Sequence, residues 1–180
     1  MGSNKLPRFS CAAHKLNIAV RTAIKSSKSF SRILKTLSQF ESSIHSISLS
    51  TLHLNKKCQV RCENATRWGS SFLMLSSFIR AYNLNVFSDD HPCPIPRDVI
   101  ENYYQILYDV YDANLHLQKN ESVISEVIPL IITLIEGKLK RMSLYGEPKK
   151  FCDLLIKAIY TKFHYELNCD YYKVASLLDV

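Results

Sequence analysis

Apolar residues recur at helical three-and-four spacing over much of this 180-residue chain. The longest such stripe consists of Phe30, Ile33, Leu34, Leu37, Phe40, Ile44 and Ile47. This period places apolar side chains on one face of an α-helix rather than on one side of a strand. Similar stripes predict helices from about residue 16, over 67–82, after 96, over about 123–142 and over about 148–166. The sequence therefore predicts a mainly α fold, a bundle of about six or seven helices.

Prolines and glycines mark the breaks between these helices. Three prolines within residues 92–96 predict a loop over 83–96, since proline cannot continue a helix. Ser122 is a plausible N-cap for the helix over 123–142, and Pro129 should kink that helix or delay its start. Residues 171–178 mix aromatic and β-branched side chains over a short run, which predicts a β-strand.

The charge balance favours a polyanionic partner. The chain contains 23 Lys or Arg against 16 Asp or Glu, a net charge of +7. Nucleic acid is the commonest polyanion that such a balance suits, and we expect DNA rather than a membrane. The longest apolar stretch, residues 127–135, is too short to cross a bilayer, and no signal peptide precedes the first cysteine. Six cysteines in an intracellular protein are expected to stay reduced.

A lone tryptophan beside an arginine is the sharpest local motif. Thr66, Arg67 and Trp68 stand at the expected entrance of a helix. An exposed indole can stack on an unpaired base, worth about 1–3 kcal/mol, and a guanidinium can pair with a phosphate. The alternative is that Trp68 fills the core beneath its helix, as many single tryptophans do. The sequence leaves both interpretations open.

A second motif could contribute to a metal site. Cys11 and His14 are spaced as half of a zinc site, and the nearest further donors are Cys58 and Cys62, with His53 close by. That spacing matches no zinc-finger pattern, so burial of the cysteines as small apolar residues is the favoured alternative. His14 is then expected to be a core histidine bonded to the backbone. The tyrosines of the helix after Pro96 are expected to mix core and surface positions without a ligand.

Together these motifs resemble the middle of a hAT-family transposase, a family often linked to BED zinc fingers. The resemblance is carried by residues 11–20 (CAAHKLNIAV), residues 66–75 (TRWGSSFLML) and, in part, residues 172–179 (YKVASLLD). It implies that residues 1–180 are part of an RNase H-like domain. Residues 15–167 would be its helical insertion, flanked by short strand remnants. It also implies that Trp68 stacks on a base flipped out near the cut site, and that Cys11 and His14 mark the start of the insertion.

The resemblance further implies a DNA-binding fragment that does not cut. The family's three catalytic acids, which hold Mg²⁺ or Mn²⁺, would lie outside this chain, so neither catalysis nor a cofactor is expected here. The BED finger and the dimerisation segment would also lie outside it, so homo-oligomers are expected of the intact family and not of this chain. The expected location is the nucleus. The alternative is a helical protein-interaction module whose basic charge is incidental.

Overall fold

The fold is mainly α, as the apolar periodicity predicts. A computed structural model describes residues 10–51, 68–87, 92–119 and 123–179, with side chains up to Ser43 in the first range. The helices are α1 (Ala12–Ser26), α2 (Lys28–Thr51), α3 (Trp68–Asn83), α4 (Arg97–His116), α5 (Ile124–Ile132), α6 (Gly146–Lys162), α7 (His164–Asn168) and α8 (Asp170–Leu178). A π-helical segment, Thr133–Lys138, and a 3₁₀ turn, Leu139–Arg141, continue α5. The described ranges contain no β-strand, so the expected strand remnants are not seen there.

A single serine separates α1 from α2 and sets the corner between them. Ser27 has an extended backbone (φ −92°, ψ 97°), while its N–H still bonds to carbonyls of the last turn of α1. Its hydroxyl accepts a bond from the Phe30 N–H at 3.3 Å, as an N-cap does for the next helix. Ser31 then donates from its hydroxyl to the Ile24 carbonyl at 2.7 Å. The corner is therefore closed on both sides by local hydrogen bonds.

The core lies between α1, α4 and α6. Helix α1 runs antiparallel to α6. Lys15 near the start of α1 pairs with Glu166, which follows the end of α6. Phe30, which follows the end of α1, packs on Phe151 near the start of α6. Phe30 also stacks on Tyr103 of α4 with ring centroids 4.3 Å apart and nearly parallel planes. All three rings are fully buried. Helix α3 packs on α4, and α5 packs on α8.

The strand expected over 171–178 is wrong, because these residues form helix α8. Asp170 carries a negative charge in the first turn, where the helix dipole favours it. Tyr172 is buried, whereas Tyr171 and Val174 on the same short helix are exposed. Packing against α5 thus overrides the β preference of the aromatic and branched residues.

Pro129 lies inside α5, and α8 compensates for the N–H that proline lacks. The helix begins at Ile124, so Pro129 does not delay its start, which was one of the two effects expected from the sequence. Pro129 cannot donate to the carbonyl of Ser125, four residues earlier. The hydroxyl of Ser176 on α8 lies 2.8 Å from that carbonyl and 2.8 Å from the Tyr172 carbonyl, so its one proton serves both. The proline thereby creates an acceptor that helps to dock α8.

No helix within the described ranges has both the length and the apolar character needed to span a membrane.

Candidate nucleic-acid interface

The positive charge of this chain is concentrated at one end of the sequence. Residues 1–40 contain eight Lys or Arg and no Asp or Glu. The other 140 residues contain 15 Lys or Arg and 16 Asp or Glu, which nearly cancel. The net charge therefore belongs to residues 1–40, and six of their eight cations lie in the described part of this segment, which forms α1, the corner and the first turns of α2.

Five of these cations are exposed and follow two stripes that meet at the corner. On α1, Arg21 and Lys25 lie one turn apart. On α2, Lys28, Arg32 and Lys35 are spaced by four and three residues, which also keeps them on one side of the helix. We call these five residues the basic face.

The cations of the basic face are not neutralised by partners in the described part of the chain. None of the five forms an ion pair there, whereas Lys149 pairs with Asp153 at 2.9 Å on the adjacent helix α6. The nearby acid Glu147 bonds first to Lys150, which lowers the pKa of its carboxyl, and Ser29 and Arg32 add smaller effects. The basic face thus keeps most of its charge available to an external anion.

Lys28 stands at an electrostatically unfavourable place. It is the first residue of α2, whose first turn contains no acid. A cation at a helix N-terminus opposes the helix dipole, at a cost of about 0.3–1 kcal/mol. A bound anion would reverse this effect, because it would face both the ammonium group and the positive end of the dipole.

A shallow groove of about 410 Å³ adjoins the basic face on the corner. It is lined by Ile24, Ser31, Leu34, Lys35, Ser38 and Gln39. Lys35 belongs to both the groove and the basic face. The surface therefore offers hydroxyl and amide donors beside its charges, a combination that suits phosphate and sugar contacts.

The Cys11 and His14 motif lies on the surface at the start of α1. Both side chains are exposed, so the expectation of a core histidine at position 14 is wrong. Within the ranges that the structure describes, no group of three or more His, Cys, Asp or Glu could hold a metal ion. The further donors considered for a zinc site, His53, Cys58 and Cys62, lie outside the described residues.

Trp68 lies at the first position of α3 and faces inward. Its side chain is only 5 % exposed, and its indole N–H donates to the side-chain oxygen of Asn17 on α1. Its ring also meets Tyr111 edge-on, with centroids 5.9 Å apart and planes at 78°. This is the position that the core alternative describes. Base stacking by Trp68 stays a prediction, and it requires the indole to leave Asn17. Thr66 and Arg67 lie outside the described residues.

Two residues of the first motif that the sequence did not single out have clear structural roles. Asn17 joins the first motif to the second through its bond to Trp68. Lys15 forms an ion pair with Glu166, whose side chain is 2 % exposed, and thereby ties α1 to α7. The basic face was also missed, although a count of charges along the chain would have found it.

Comparison with known proteins assigns this chain to no family. No protein-family model, no curated protein and no solved structure matches it. The resemblance to hAT transposases therefore rests on the three sequence motifs.

Proposed function

We propose that this chain binds DNA through the basic face of α1 and α2. The observation that carries the proposal is the exposure of five cations without an ion-pair partner among the described residues, in a segment without a single acid before Glu41. Such a surface attracts the phosphate backbone through charge and counterion release, with little dependence on base sequence. The proposed activity is thus backbone binding rather than base reading.

The proposed origin is a hAT-type transposase in which this part of the protein holds DNA and does not cut it. What supports this origin is the motif pair, whose two halves touch through Asn17 and Trp68. In this proposal Trp68 organises the packing of α3 on α1, and the cations beside the first motif make the DNA contact. The proposed location is the nucleus, and no cofactor is assigned.

The proposal is tested by replacing three lysines of the basic face and comparing DNA binding with that of a control variant in which three other lysines are replaced. The test variant is Lys25→Gln with Lys28→Gln and Lys35→Gln. The control is Lys119→Gln with Lys140→Gln and Lys173→Gln, which removes the same charge and side-chain type from positions outside the basic face. Binding to a short labelled duplex is measured by fluorescence anisotropy across a salt series. Thermal melts by circular dichroism verify that both variants fold.

The expected result is a change in salt dependence that only the test variant shows. Each lost phosphate contact reduces the slope of log K against log salt by about 0.9, so three lost contacts reduce it by about 2.7. The control should keep nearly the wild-type slope, with a small general loss of affinity. Equal slopes in the two variants would contradict the basic face as the contact surface.

The alternative function, a helical protein-interaction module, is favoured by one observation on α8. Tyr171, Val174, Leu177 and Leu178 of this short helix are all more than half exposed. If that alternative holds, the charge is incidental, and wild type and both triple variants should bind duplex DNA equally weakly at low salt.

A further inference from the structure

The outer face of α4 has the opposite charge to the basic face. Asp98, Glu101, Asp109 and Asp112 recur along this helix at spacings that keep them on one broad side. Only Arg97, bonded to Glu101 at 2.7 Å, offsets them on the same helix, apart from His116 at its end. Tyr108, 53 % exposed, lies among these acids. The face is therefore both acidic and aromatic.

A pocket of about 340 Å³ opens on this face. It is lined by Tyr104, Gln105, Tyr108, Asp109 and Met142. The two tyrosine rings lie 5.9 Å apart with their planes at 46°, so they form a corner and not a flat stack. The carboxylate of Asp109 is mostly buried, with its side chain 19 % exposed.

The pocket is held in shape by the packing beneath it. Phe72 of α3 stacks on Tyr104 with centroids 5.2 Å apart and planes at 12°. Phe72 itself is buried and also stacks on Tyr111 at 4.3 Å. Tyr104 is therefore fixed from behind, while Tyr108, tilted against Phe72 with centroids 6.4 Å apart, stays half exposed to a ligand.

This lining suits an organic cation better than any other ligand class. Aromatic ring faces and a thioether accept the alkyl stem and the charged head of such a group, and a carboxylate supplies the counter-charge. An anion would be repelled by Asp109. A neutral ligand would bury that carboxylate with only the long contact to Lys138, which is costly.

Elsewhere in this chain, a tyrosine ring and a carboxylate already hold a cation together. Lys140 lies 5.7 Å from the ring centroid of Tyr160 and bonds to Glu136 at 2.6 Å. At the pocket, by contrast, the nearby cation Lys138 stays 58 % exposed, with its ammonium nitrogen 3.8 Å from Asp109. This distance is too long for a good hydrogen bond, so an incoming cation can take its place.

We propose that this pocket binds a lysine or arginine side chain of a basic partner segment. The head group lies against the rings of Tyr104 and Tyr108 and pairs with Asp109. Asp112 and the other acids of α4 attract the flanking basic residues of the same segment. Charge complementarity selects this partner, since α4 carries four acids against one arginine while the DNA-binding surface proposed above is basic. The two sites can therefore be tested independently.

The experiment is a titration of the ¹⁵N-labelled chain, followed by NMR, with octalysine and separately with tetramethylammonium chloride. Octalysine should shift the backbone amides of 101–112 and of Met142. Tetramethylammonium should shift the same amides more than sodium chloride at equal ionic strength. Equal effects of the two salts would overturn the aromatic contribution and with it the pocket.

Variants separate the pocket from general attraction to acidic groups. Tyr108→Ala should weaken octalysine binding by about threefold, the worth of an exposed cation–π contact. Asp109→Asn with Asp112→Asn should weaken it by about tenfold, since two counter-charges are removed. The controls Tyr145→Ala and Asp153→Asn alter an exposed tyrosine and an exposed acid that do not line the pocket, and should bind as wild type does. If Tyr108→Ala binds as tightly as its control, or if shifts spread evenly over all acidic surfaces, the proposal is overturned.

Discussion

Replacing Trp68 by alanine should destabilise the protein and should not act selectively on DNA binding. The side chain is almost fully buried and packs edge-on against Tyr111. Truncating a buried large aromatic residue costs about 3–5 kcal/mol. The lost indole N–H also leaves the half-buried oxygen of Asn17 without its donor, which adds up to about 1 kcal/mol. We therefore expect a loss of about 4–5 kcal/mol out of a total stability of about 5–15 kcal/mol.

Urea unfolding followed by far-ultraviolet circular dichroism measures this loss, because the variant has no tryptophan fluorescence. With an m value of about 2–3 kcal/mol per molar urea, the midpoint should fall by about 2 M. Trp68→Phe is the matched control, since it keeps an aromatic ring in the core and removes the N–H together with the second ring of the indole. It should lose about 1–2 kcal/mol.

The opposite result would refute the assignment of Trp68 to the core. That result is a loss below about 1 kcal/mol for Trp68→Ala, together with weaker binding only to DNA that carries an unpaired base. The indole would then act at the surface, as the transposase resemblance implies. A DNA-binding test at position 68 should therefore use the phenylalanine variant, which keeps the fold.

Three further predictions concern polar groups inside the fold. Lys15→Met should cost about 3–5 kcal/mol in urea unfolding, because it leaves the buried Glu166 carboxylate without its cation, and adding Glu166→Leu should recover most of that loss. Ser176→Ala should cost about 1 kcal/mol, and Pro129→Ala should reduce this cost, because it restores the N–H that the α5 carbonyl lacks. Burial raises the pKa of the Cys152 thiol from 9.0 to about 11, so the folded state holds its proton longer than the unfolded state does. The resulting stability, about 2 kcal/mol, is fully present below pH 9 and is lost as the pH rises from 9 to 11, and Cys152→Ala should flatten that part of the curve.

Each of these predictions has an outcome that would contradict it. The ion-pair account fails if the double variant is no more stable than Lys15→Met. The account of the proline fails if Ser176→Ala costs the same with and without Pro129. The thiol account fails if Cys152→Ala loses stability between pH 9 and 11 as steeply as wild type, with an alanine variant of the exposed Cys11 as the comparison.

The helices were predictable where local preference and tertiary packing agree. The apolar stripes placed α2, α3, α4 and α6 within a few residues of their observed bounds. The prediction failed at 171–178, where tyrosine and valine favour a strand by themselves. There the burial of Tyr172 and the hydrogen bond from Ser176 to the Ser125 carbonyl of α5 stabilise a helix instead. The bonded carbonyl lies 51 residues before Ser176, so local preference could not predict it.

The candidate sites were less predictable than the fold. The concentration of charge in residues 1–40 is a property of the sequence, but its exposure on one corner depends on the Ser27 break. The tyrosines of α4 were expected to need no ligand. Their relation to Met142, 34 residues beyond Tyr108, appears only after the chain has folded back.

By itself, the sequence determined that this chain is helical, basic and punctuated by proline, because these properties follow from local spacing and composition. Only the tertiary structure decided which side chains face outward. It turned Trp68 inward to Asn17 and left His14 exposed. The physical reason is that burial depends on contacts between distant segments, and the same residue can bind a ligand or fill the core according to what packs against it.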